Sequence, residues 1–142
     1  MAQFKDIGDG LYLGPQHTEQ DLQEAKGRGV KTVIDFRLPT ETAIPNETLV
    51  TQFGLNYVNI PVSKASPSEK QIEELDQALQ QEDGPFLLHC GTGMRAAMLL
   101  ALTRAKQNRW SAERTFEEAK SMGFDLKASP EFSAFVTRTV GT

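Results

Sequence analysis

Cysteine is nearly absent from this chain: Cys90 is the single one among 142 residues. An internal disulfide is therefore excluded, and so is any metal centre built on paired cysteine ligands. Long hydrophobic runs are missing too. No stretch approaches the ~18 apolar residues of a membrane span, and Met1–Gly10 lacks a core of signal-peptide length. Positive charge is not in excess, since the formal net charge is −4. That balance argues against nucleic acid or an anionic membrane as the main partner, although a local cluster of amides and arginine can still bind an anionic substrate. No repeat, low-complexity run or Pro/Gly-rich linker divides the sequence. Together these absences predict one cytoplasmic domain over residues 1–142. Its length suffices to bury roughly two-thirds of the unfolded surface in a core.

What is present is an alternation of β-branched apolar runs with amphipathic stretches. Strands are predicted at Gly10–Leu13, Val30–Asp35, Tyr57–Ile60 and Phe86–His89. Between them, Thr18 with Asp21 reads as a capping box opening a helix that ends at Gly27 and Gly29. A weaker helix is expected from Asn46 to Phe53, closed by Gly54. Ser66-Pro67-Ser68-Glu69 reads as an N-cap serine, a proline at the first helical position and a glutamate at the third. The helix after Cys90 is apolar all round and is expected to be central and buried. Ser111 and Ser129-Pro130 look like caps for two final helices. The pattern predicts an α/β fold, a central, mostly parallel sheet of about four to five strands flanked by helices. In such sheets ligands gather beyond the carboxyl ends of the strands. Those ends are Asp35-Phe36-Arg37, Pro61–Lys64 and Cys90–Arg95.

The third of these carries the chemistry. His89-Cys90-Gly91-Thr92-Gly93-Met94-Arg95-Ala96 passes from a buried strand through a glycine-rich turn into a helix. The backbone N–H groups of Gly91, Thr92, Gly93, Met94 and Arg95 can curl around one oxyanion, aided by the helix dipole. Arg95 can add a bidentate grip on phosphate or sulfate oxygens. The same field favours thiolate over thiol in a cysteine so placed. The plainer alternative is a buried structural cysteine.

Three segments in this order, Val33-Ile-Asp-Phe-Arg37 with Glu41, Tyr57–Val62 and His89–Arg95, resemble the cysteine-dependent tyrosine and dual-specificity phosphatases. The likeness spans roughly Leu11 to Leu126 and is strongest to the bacterial branch found as the phosphatase-like domain of beta-lactamase hydrolase-like proteins. It implies a cysteine phosphatase-like fold and phosphate-monoester hydrolysis through a phosphocysteine, with no metal or organic cofactor, on a phosphorylated protein or a small phosphate ester. It casts Cys90 as nucleophile, Arg95 as phosphate clamp and Gly93 as the residue that lets the backbone approach the anion. His89 would tune the thiolate by hydrogen bonding, or be a satisfied core histidine.

The sequence departs from that pattern in three ways. Four residues, rather than the usual five, separate Cys90 from Arg95. A turn this short is shared with the rhodaneses, which leaves a sulfurtransferase working through a cysteine persulfide as the alternative. The loop Pro61–Pro67 holds no carboxylate where phosphatases place a general acid, leaving only Asp35 and Glu69 as candidates. Asp35 could serve only if burial or a like charge kept it protonated, and Glu69 reads more simply as a cap. Ala96 stands where relatives often carry a hydroxyl, a role Thr92 could take over or leave unfilled. These losses also allow a weakly catalytic phosphate-binding module. Arg37 either pairs with Glu41 or flanks the cleft to steer an anion, and Lys64 either binds substrate charge or is a solvated surface lysine.

Overall fold

Apolar side chains on both faces of three short segments force them into the middle of a covered sheet, and the computed structural model shows how they are covered. It describes residues 4–15, 19–38, 46–63 and 67–140. Its strands are β1 (Lys5–Gly8), β2 (Leu11–Gly14), β3 (Thr32–Asp35), β4 (Asn56–Asn59) and β5 (Phe86–His89). The helices are α1 (Glu19–Gly27), α2 (Asn46–Gln52), α3 (Glu69–Gln81), α4 (Met94–Asn108), α5 (Ala112–Ser121) and α6 (Pro130–Val140). A 3-10 turn at Leu126–Ala128 precedes α6.

The sheet has five strands in the order β1-β2-β5-β3-β4, with β1 antiparallel to β2 and every other pair parallel. Period-2 alternation divides its side chains between two cores. Leu11, Leu13, Ile34, Phe86 and Leu88 face a large cluster with Leu75, Met98, Leu102 and Phe135 from α3, α4 and α6. Val33 and Leu87 face a smaller one with Leu22, Ala25 and Val50 from α1 and α2. Helix α4 is buried from Arg95 through Thr103, as its all-round apolar sequence predicts.

Strand β1 escapes the sequence reading because Lys5-Asp6-Ile7-Gly8 is polar and largely exposed. Its place comes from the hairpin turn to β2, where the Asp6 carboxylate accepts the Gly8 N–H at 2.9 Å. Helix α1 ends as expected: Gly29 takes a φ of +93°, and the Val30 N–H returns to the Ala25 carbonyl at 3.1 Å. Thr18, the expected cap of α1, lies outside the described residues. The start of α3 differs from expectation. Its N-cap is Ser68, not Ser66, which lies outside the described residues, and Glu69 is the first helical residue. The third helical position belongs to Gln71, whose Oε1 accepts the Ser68 N–H at 2.9 Å while its Nε2 donates to the Pro61 carbonyl at 2.8 Å. An amide accepts through its oxygen and donates through its nitrogen, so Gln71 serves both partners where a carboxylate could only accept.

Ser111 caps α5, its Oγ accepting the Arg114 N–H at 3.2 Å, and Ser129 does the same for α6 toward Phe132. Ser111→Ala should cost about 1 kcal/mol of folding free energy in urea titrations. The urea midpoint should fall with no change in slope, because the cap orders one helix end without altering the surface buried.

Candidate active site

Strand register brings the chemistry together. Gly14, His89, Asp35 and Asn59 end their strands side by side, Gly14 and Asp35 opposite His89 and Asn59 opposite Asp35. The residues just past this row, Cys90 onward, Phe36-Arg37 and Ile60–Ser63, therefore emerge at one edge. Backbone bonds hold them there: the Phe36 N–H meets the His89 carbonyl at 2.9 Å, and the Val62 N–H meets the Phe36 carbonyl at 3.0 Å.

Beneath that edge lies a buried polar cluster centred on Asp35, which is 2% exposed. Its Oδ1 accepts the Arg37 backbone N–H at 2.9 Å and the Arg37 Nε–H at 3.1 Å. Its Oδ2 accepts from Tyr57 Oη at 2.9 Å and from Arg37 at 3.3 Å. His89, fully buried, has its Nε2 3.7 Å from Asp35 Oδ1. Asn59 Nδ2 donates to the Asp35 and Arg37 carbonyls at 2.8 and 3.0 Å. Burial alone would raise the Asp35 pKa. Attraction to His89, the Arg37 hydrogen bonds and the Arg37 charge outweigh it and hold the carboxyl below its ordinary 3.8.

Cys90 sits at the floor of the turn, fully buried, with its N–H toward the Gly14 carbonyl at 3.4 Å. The Gly93 N–H donates to Cys90 Sγ at 3.0 Å, and the exposed Thr92 hydroxyl accepts the Met94 N–H at 3.3 Å. Gly93 caps α4 with a φ of +99°, and a Cβ there would fall 2.7 Å from Phe124 Cζ. Glycine is thus required twice, for backbone sign and for packing. Arg95, on the first turn of α4 and buried, donates through Nη1 to the Val62 carbonyl at 3.0 Å, so it spans from the turn to the loop after β4. Beside the turn a cavity of about 590 Å³ is lined by Thr92, Met94, Arg95, Phe124, Ser129, Glu131 and Phe132.

A family model for the phosphatase-like domain of beta-lactamase hydrolase-like proteins matches residues 3–107. The chain belongs to this family. The beta-lactamase hydrolase-like protein of Xylella fastidiosa (strain Temecula1) is 28% identical over 128 residues, 85% of this chain. That stretch is 29% of the Xylella protein, so the chain spans under a third of such relatives. Among solved structures, a Shewanella putrefaciens CN-32 protein provisionally assigned as a phosphatase superimposes with a TM-score of 0.80 at 23% identity, covering 98% of this chain and 89% of that one. TpbA of P. aeruginosa, solved with phosphotyrosine, gives 0.76 at 20% identity over 94% of this chain and 82% of its own. The fold expected from the strand–helix alternation is therefore the observed one.

Of the residues singled out from sequence, the fold brings His89, Cys90, Gly91, Thr92, Gly93, Met94 and Arg95 into one turn. Arg37 lies just past the carboxyl end of β3. It is 4% exposed and its guanidinium grips Asp35, while Glu41, its other suggested partner, lies outside the described residues, as does Lys64. Both candidate carboxylates have cationic neighbours. Asp35 is held ionised by Arg37 and His89, and Glu69 reaches Lys106, near the far end of α4, at 3.3 Å. Among the described residues no cluster of three or more His, Cys, Asp or Glu could hold a metal ion. The sequence reading missed Tyr57 and Asn59, although polar side chains two apart in a strand, facing the Asp35 position, were a usable signal. It also missed Phe124, Glu131 and Phe132, which no local pattern connects to the turn.

Asp35→Asn should destabilise the fold by about 3–5 kcal/mol, because it leaves the Arg37 charge buried without its counter-ion. The pH dependence follows from the depressed pKa. Stability from ionised Asp35 is complete above the unfolded value of 3.8 and drains away as pH falls through the lower folded value. Denaturation followed between neutral pH and strong acid should show that acid-side loss in the wild type and a shallower one in the variant.

Proposed function

We propose that the chain hydrolyses phosphate monoesters at Cys90, with aryl phosphates, phosphotyrosine among them, as substrates. The Gly93 N–H on Cys90 Sγ at 3.0 Å is the observation that carries this reading. A backbone donor aimed at the sulfur holds it at the floor of the turn, beneath the amides that would receive an oxyanion. The thiolate forms a bond to phosphorus in line with the ester oxygen, and the P–O bond breaks, releasing the alcohol's oxyanion. Water then attacks the phosphocysteine, breaking the P–S bond and returning the thiolate with inorganic phosphate. Turn amides and the Arg95 guanidinium steady the equatorial oxygens, a preorganised electrostatic contribution that dominates phosphoryl transfer. His89 reaches the reaction through its place one residue before the sulfur and through Asp35, as a positioning residue.

The leaving group decides the substrate class. With Asp35 ionised and Glu69 turned to Lys106, neither candidate carboxyl donates a proton. Lacking a general acid costs about 10²–10⁴ in rate for a basic leaving group, and least for a phenolate, which departs without one. Aryl phosphates on a protein or a small molecule fit that chemistry, and TpbA was solved with phosphotyrosine. A single thiolate with no second cysteine to shield it suits a reducing compartment such as the cytoplasm.

The four-residue spacing from Cys90 to Arg95 favours one second reading, sulfur transfer through a Cys90 persulfide. Release of p-nitrophenol from its phosphate ester separates the two. The wild type should turn over from mildly acidic to neutral pH, Cys90→Ser should lose all measurable turnover, and brief peroxide should abolish it. If no Cys90-dependent p-nitrophenol appears while thiosulfate sulfur passes to cyanide, the phosphatase reading is wrong.

A further inference from the structure

Pro61 sits between two residues tied to β3: the Ile60 N–H meets the Asp35 carbonyl at 2.9 Å, and the Val62 N–H meets the Phe36 carbonyl at 3.0 Å. Proline has no N–H, so the carbonyl is the one main-chain polar group that Pro61 offers. Gln71, in the first turn of α3, donates to it through Nε2 at 2.8 Å while its Oε1 accepts the Ser68 N–H at 2.9 Å. The next residue, Val62, is fully buried, and its carbonyl accepts Arg95 Nη1 at 3.0 Å. Two hydrogen bonds on adjacent residues therefore link α3 to the guanidinium of the cysteine turn.

We propose that Gln71 is a positioning residue: by holding Pro61 it fixes the Val62 carbonyl against which Arg95 rests, and so aims the guanidinium at the bound phosphate. This rests on the phosphatase reading and names a residue outside the turn on which that grip depends. The Pro61 carbonyl and the Val62 N–H belong to one rigid peptide plane, so Gln71 and the Phe36 carbonyl hold that plane from opposite ends. Without Gln71 the plane can rotate about its one remaining hydrogen bond, and the Val62 carbonyl shifts with it. Arginine recognises an oxyanion through a planar fork whose benefit depends on orientation, so its grip weakens when its support moves. Capping does not account for the amide. A glutamate at the third helical position completes the same box, and its charge suits a helix N-terminus better. Only the amide also donates to Pro61.

Tungstate, a tetrahedral dianion that binds as phosphate does without turnover, tests this on two variants of the intact chain. Gln71→Glu keeps an acceptor for Ser68 and loses the donor to Pro61. Gln71→Met loses both but adds no charge. The donor is the one loss they share. By titration calorimetry both should bind tungstate about three- to tenfold more weakly than wild type, the worth of one hydrogen bond. The KM for p-nitrophenyl phosphate should rise in step, a change that a less stable fold by itself would not produce. The urea midpoint should fall further for Gln71→Met, which alone loses the cap. Unchanged tungstate affinity in both variants would overturn the role of Gln71 while leaving phosphate binding in place. Weakening in Gln71→Met alone would assign the effect to the helix cap, and weakening in Gln71→Glu alone to charge repulsion; either overturns the proposal. Failure of the wild type to bind tungstate would sink the phosphate reading, and the positioning role with it.

Discussion

A carboxylate and a guanidinium taken out of water together constrain everything at the carboxyl edge of this sheet. Asp35 and Arg37 lie two residues apart at the end of β3, both buried, and each would be strongly unfavourable alone. Their pairing leaves acceptor capacity over, and the neighbouring strands fill it: Tyr57 from β4 takes one carboxylate oxygen, while His89 from β5 approaches the other. Asn59 then binds the main-chain carbonyls of both charged residues. One buried pair therefore ties the ends of three strands, and the residue after one of those ends is Cys90.

The cysteine turn inherits its geometry from that floor. Its outer half meets a different contact, the ring of Phe124 against Gly93, where an added Cβ would force a shift and the φ of +99° would strain any side chain. Arg95 completes the frame by reaching from α4 to the Val62 carbonyl, so the loop after β4 and the turn after β5 are coupled through a buried cation. A turn held from below by an ion-pair network and from the side by an aromatic ring is preorganised.

Ionisation and stability are linked by the same cluster. An arrangement that keeps Asp35 charged stabilises the fold, and the same contacts hold together the strand ends from which the cysteine turn emerges.

Much of this was written locally in the chain. The apolar runs at Val33-Ile34 and Phe86–Leu88, the glycine stop at Gly29 and the cap at Ser111 each report their structure from a few adjacent residues, because period, φ sign and capping are short-range properties. The Cys90–Arg95 turn was legible for the same reason: its passage from strand to helix is set by contiguous backbone. Strand β1 was not, since its polar residues gain a place only by pairing with β2. The role of Arg37 was not legible either, because its alternatives differed in partners and burial, which are set by β4, β5 and the helices above them. The cavity wall of Phe124 and Phe132 lies some thirty to forty residues beyond Cys90 along the chain. Sequence alone determined the elements and the glycine-rich turn after β5, through interactions a few residues long. Tertiary structure decided which charges are buried together and which side chains meet the turn, because desolvation and packing depend on neighbours that only the folded chain supplies.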